Sequence, residues 1–162
     1  MRKLSVIELN RLNVEEFRAA EKLPLVVVLD NVRSLHNVGS IFRTSDAFIV
    51  EKIYLCGITS TPPNAEIHKT SLGAEDSVLW EYVAETKDVV DKLHEEGYKV
   101  LAVEQTENSI SLEKLSLNKD EKYAIILGNE VKGPPLKSED IPPHNLRNGK
   151  ASSQKKASYE SD

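Results

Sequence analysis

The residues of this chain that could do chemistry gather at three places where an apolar run gives way to polar side chains. The first is Asp30-Asn31-Val32-Arg33-Ser34-Leu35-His36-Asn37-Val38-Gly39-Ser40-Ile41-Phe42-Arg43-Thr44. Asn37 and Gly39 fall where a helix would begin and backbone N–H groups are free, so an anion such as a phosphate could dock there. Arg43 lies among Ile41, Phe42 and Ala47, and a half-buried arginine needs an anionic partner. The plainer alternative gives Asn37 to helix capping and Arg43 to a structural ion pair; both readings stay open on these residues alone. The second place is Val103-Glu104-Gln105-Thr106, where chemistry alone favours an ordinary strand-to-loop turn. The third is Ile126-Leu127-Gly128-Asn129-Glu130-Val131-Lys132-Gly133. Its two glycines allow a backbone to approach a ligand closely. Neither a Walker phosphate loop nor a GxGxxG fingerprint occurs, so simple nucleotide triphosphate or dinucleotide binding is not indicated.

Such residues need a scaffold, and the apolar pattern supplies one. Leu25–Leu29 (LVVVL) is a short run rich in β-branched residues, bounded by Pro24 and Asp30; it reads as a strand buried on both faces. Further strands are expected at Lys52–Leu55, Val78–Val83, Lys99–Val103 and Tyr123–Leu127. Helical spacing runs from Val38 to Phe48, and Ile67–Ala74 reads as a short helix. Thr86 is the expected cap of a helix over Lys87–Glu96, stopped by Gly97. Residues 4–21 read as one or two short helices, with Asn13 as a cap. Strands alternating with helices imply an α/β fold with a mainly parallel sheet and helices on both faces. Ligands of such sheets bind at the carboxyl ends of the strands.

The 162 residues suggest one domain, at most with a tail. No apolar run approaches the roughly 20 residues of a membrane span, and the N-terminus lacks an apolar signal core. With one cysteine there is no internal disulfide and no cysteine-built metal site, and a reducing, cytoplasmic setting is the simplest inference. A net charge of −5 argues against a protein held to nucleic acid by bulk charge; any RNA site must be local. Beyond Gly133 the character changes. Four of the seven prolines lie there, and the chain ends KASSQKKASYESD without helix or strand period. Such a stretch buries too little apolar area to offset its ordering entropy. The organisation expected is a helical segment over 1–24, the α/β domain over 25–133 and a disordered tail over 134–162.

Taken together, the motifs resemble a known family. DNVRSLHNVGSIFRTSDAF is similar to the first motif of the SpoU/TrmH branch of the SPOUT RNA methyltransferases, and YAIILGNEVKG to its second. IHKTSLGAEDSVLWEY looks like the segment between them. The resemblance spans about two-thirds of the chain. It implies a parallel α/β sheet whose C-terminal part is tied in a trefoil knot, S-adenosylmethionine bound in the knot loops, and a homodimer that methylates tRNA or rRNA, usually at a ribose 2′-hydroxyl. It matches Asn37, Arg43 and Glu130 to substrate binding and catalysis. Gly128, Asn129 and Gly133 fall beside the cofactor, as do Glu104, Gln105 and Thr106 at a neighbouring strand end. Arg33, His36, His68 and Lys69 could add local positive charge for RNA, with plain solvated surface as the alternative for each. No metal is implied.

One family feature is missing. Relatives continue with a strand and a Ser-Leu-Asn turn that opens a final helix, completing the knot. Here Ile141-Pro142 is similar to that strand's end, and nothing after it matches. The tail therefore reads as an out-of-frame product, leaving the knot incomplete. The competing expectation is a catalytically inactive RNA-binding or dimerisation remnant.

Overall fold

The computed structural model describes residues 12–103, 110–128 and 145–147. Among the described residues seven strands form one sheet in the order β3-β2-β1-β6-β4-β7-β5, with every pairing between them parallel. They are β1 (Leu23–Asp30), β2 (Val50–Cys56), β3 (Trp80–Val83), β4 (Tyr98–Val103), β5 (Ile110–Ser111), β6 (Lys122–Gly128) and β7 (Asn145–Arg147). The helices are α1 (Val14–Ala19), α2 (Leu35–Ala47), α3 (Ala65–Ser71), α4 (Ala74–Ser77) and α5 (Thr86–Glu95). This is the α/β class the alternation implied. The short strands β5 and β7 were not expected, and β7 lies inside the stretch read as a tail. Two-residue and three-residue strands carry too little pattern to register as a period.

Helices cover both faces, and each face has its own core. On one side Val38 and Phe42 of α2, Phe17 of α1, Ile67 of α3 and Ala74 of α4 pack on Val27, Leu29, Ile53 and Leu55. On the other, Val89, Val90 and Leu93 of α5 pack on Val26, Val28, Tyr54, Val100 and Ile126. Alternate residues of β1 thus feed opposite layers, as strand geometry requires. Each fully buried Val, Leu, Ile or Phe among them contributes about 1.5–3 kcal/mol.

Several local expectations need correction. Ser34, not Asn37, caps α2: its side chain accepts from the Asn37 N–H at 3.2 Å. Gly39 lies past the four positions whose N–H groups are free, so it offers no anion site. Its role is packing. A Cβ there would fall 2.0 Å from Thr70 Oγ1 and 2.3 Å from the Ile67 carbonyl oxygen. The helix foreseen over Ile67–Ala74 is two, broken by left-handed Leu72 (φ 53°) and by Gly73 (φ 93°). Thr86 does not cap α5; the cap position is Glu85, and the Thr86 hydroxyl donates to Asp30 Oδ1 at 2.6 Å. Asn13 does cap α1, within a reciprocal pair with Glu16.

Candidate functional site

The three polar strand ends singled out in the sequence belong to β1, β6 and β4, and those strands are adjacent. Asp30 is in register with Gly128, and Ala102 of β4 with Ile126 of β6. Positions almost a hundred residues apart therefore meet at one carboxyl edge. The meeting is tight. Gly128 has φ 146°, and a Cβ there would sit 2.1 Å from the Asp30 carbonyl oxygen. Only a residue without a side chain lets the two strand ends approach so closely.

Asp30 is 1% exposed. Its Oδ1 accepts from Thr86 Oγ1 at 2.6 Å and from Asn31 Nδ2 at 2.8 Å. Its Oδ2 is buried and has no hydrogen-bond partner among the described residues. Nearby Cys56 is buried, and that burial pushes its thiol up to about 11, with the Asp30 charge adding to the rise and Thr86 opposing it. The thiol is therefore neutral near pH 7 and is not a nucleophile.

The first polar loop runs directly into α2, and the residues on that helix do not all face one way. At about 100° per residue, His36 and Arg43 share one stripe, while Asn37 is turned about 120° from Arg43. Arg43 is half-buried. Among the described residues its guanidinium has neither an ion pair nor a hydrogen bond, so the structural ion pair considered for it is not found there. It stands about 12 Å along the helix axis from Leu35, and its Cα–Cβ bond tilts back toward the helix start. Asn37, His36 and Arg33 are exposed.

His68 and Lys69 sit on α3, apart from this stripe, and both are paired. His68 Nδ1 is 2.5 Å from Glu75 Oε1, and the Glu75 contact raises the imidazole pKa above its ordinary value. Lys69 Nζ is 2.6 Å from Glu66. His68 also lines an open cavity of about 500 Å³ with Pro62, Asn64, Glu75, Asp76 and Trp80. Of the remaining sequence candidates, Glu104, Gln105, Thr106, Asn129, Glu130 and Gly133 lie outside the described residues, as does most of the stretch expected to form the knot. Sequence reading missed Asp30, Asn31 and Thr59 as an interacting group. The strand-end position of Asp30 and the turn chemistry of Asn31 were visible, but their partners come from other loops.

A parallel α/β sheet in which β1, β6 and β4 end side by side is of the doubly wound kind, whose ligands bind at the carboxyl edge of the strands. Residues 24–146 match the SpoU rRNA Methylase family, and the chain belongs to that family. It is 31% identical over 120 residues to a protein of Staphylococcus haemolyticus assigned to the TrmH family of tRNA/rRNA methyltransferases, covering 74% of this chain and 47% of that one. The chain spans about half the length of the curated relatives it matches. Among solved structures it is similar to an AdoMet-bound rRNA methyltransferase from Sinorhizobium meliloti. There the TM-score is 0.71 and the identity 25%, with 85% of this chain and 52% of that one covered. The A. aeolicus TrmH/SpoU tRNA modifying enzyme shares the fold, with a TM-score of 0.68, 20% identity and coverage of 82% and 68%.

Proposed function

We propose that the chain carries the catalytic fold of an S-adenosylmethionine-dependent RNA methyltransferase acting on a ribose 2′-hydroxyl of tRNA or rRNA. The observation that carries this reading is Arg43: a half-buried guanidinium without a described partner, on the helix that starts beside the Asp30–Gly128 junction. A charge held in that way is matched to an anion brought by a ligand, and RNA brings phosphates.

The cofactor supplies a methyl group on a sulfonium. One feature of the edge supports such a ligand: Gly128 ends β6 as exposed, bare backbone. Gly128, Asn129 and Gly133 would hold the cofactor together with Glu104, Gln105 and Thr106. Arg43 would grip the phosphate next to the target and polarise the ribose hydroxyl. A guanidinium has no free lone pair to accept a proton, so a phosphate oxygen would take it. Asn37 and Glu130 would orient the arginine. Alignment of hydroxyl and methyl supplies much of the rate in such a displacement.

Arg33 and His36 are the better RNA contacts, because both are exposed and, among the described residues, neither has a carboxylate partner such as those of His68 and Lys69. A cytoplasmic homodimer, with the centre near the subunit interface, belongs to the same reading. The test is methylation of RNA by the full chain and by Arg43→Ala, with calorimetric titration of S-adenosylmethionine. Cofactor binding by both proteins, with methylation reduced at least about 100-fold in the variant, is the expected result. Absence of cofactor binding by the unsubstituted chain would favour the inactive remnant.

A further inference from the structure

The loop that carries Arg33 into α2 is tied to the loop after β2. Val32 donates its backbone N–H to Thr59 Oγ1 at 3.0 Å, and the same hydroxyl donates to the Leu29 carbonyl at 3.2 Å. Thr59 belongs to the loop after β2 and is 3% exposed. Its own N–H is bound to the Cys56 carbonyl at 3.2 Å. One buried hydroxyl therefore replaces the ladder where β1 and β2 have ended. Asn31 makes the second tie. It adopts φ 51°, its N–H donates to the Cys56 carbonyl at 3.2 Å, and its Oδ1 accepts from the Ile58 N–H at 3.0 Å. Its Nδ2 donates to Asp30, which is held in turn by Thr86 of α5. Gly57 makes room for this amide: a Cβ there would fall 2.1 Å from Asn31 Oδ1.

We propose that Thr59 and Asn31 are positioning residues that pre-order the Asp30–Ser34 loop for RNA, the loop after β2 acting as its clamp. This rests on the function proposed above. An unclamped loop must be ordered when RNA binds, and that cost appears as lost affinity. The cofactor contacts proposed on β4 and β6 do not depend on it.

The experiment compares the full chain with Thr59→Val, Thr59→Ser and Asn31→Gly. Thr59→Val keeps shape but removes the hydroxyl. Asn31→Gly accepts the positive φ at no steric cost and removes only the amide, so one variant remains informative if the other fails to fold. Three quantities are read: affinity for a labelled pool of unfractionated tRNA and fragmented rRNA, affinity for S-adenosylmethionine, and hydrogen exchange at the Val32 and Ile58 amides. Thr59→Val and Asn31→Gly are expected to weaken RNA binding about fivefold and to speed amide exchange in the loop. S-adenosylmethionine affinity should stay within about twofold, and Thr59→Ser should behave as the unsubstituted chain. Unchanged RNA affinity in both variants overturns the inference alone, as does equal weakening of both ligands. Failure of the unsubstituted chain to bind either ligand overturns the proposed function and this inference with it.

Discussion

At the scale of single residues, partners decide what a polar side chain is for. His68 and Arg43 are both basic groups flagged by type, yet one is spoken for by Glu75 and the other has no described partner. Glu75 raises the His68 pKa above 6.5. A group whose folded pKa is raised stabilises fully below its unfolded value and loses that contribution as pH climbs through the folded value. Burial pushes the Glu75 pKa up, but hydrogen bonds from Ser71 and His68 more than offset it, so its net shift is downward. The Glu75 contribution therefore fades as pH falls through its folded value. His68→Gln should cost thermal stability at about pH 6 and progressively less toward about pH 8.5. Melting curves of both proteins across that range check it; a gap independent of pH would mean that the ion pair adds nothing. The residue types of His68, Lys69 and Arg43 were legible in the sequence. The partner of His68 was not, because Glu75 approaches it only through the Leu72–Gly73 turn between two short helices.

At the scale of elements, α2 shows how a glycine that looks like part of a ligand loop can be a packing device. Gly39 is where α3 crosses α2, with the Ile67 carbonyl and Thr70 hydroxyl pressed against it. Gly39→Ala should destabilise the fold by about 3 kcal/mol through overpacking, more than alanine's helix propensity returns. Adding Thr70→Ala should not rescue it, since the carbonyl contact remains. Denaturant midpoints of the single and double variants decide the point. The helices and the five longer strands were readable as periods of 3.6 or as apolar runs. Their ends were less so: Ser34 rather than Asn37 starts α2, and Thr86 spends its hydroxyl on a carboxylate of β1 instead of its own helix. Cap residues have equivalent side-chain chemistry, and tertiary neighbours choose among them.

At the scale of the whole molecule, the carboxyl edge is the product of strand order. β6 inserts between β1 and β4, which puts Gly128 against Asp30. Gly128→Ala combines a strained backbone with a 2.1 Å contact and should cost about 3 kcal/mol. It should weaken S-adenosylmethionine binding as well, in contrast to Arg43→Ala, which leaves that binding intact; melting temperature and cofactor titration of the two variants separate the cases. By itself the sequence determined the fold class, the family and the three strand ends that carry polar residues, since burial period and local motif are written in neighbouring positions. Only the tertiary structure decided that those ends lie side by side, that Asp30 is buried with its Oδ1 held by Thr86, and that Thr59 and Asn31 tie one loop to the next. Each of these depends on contacts between residues more than twenty apart in the chain, and the closure of such contacts is set by how the layers pack rather than by any local preference.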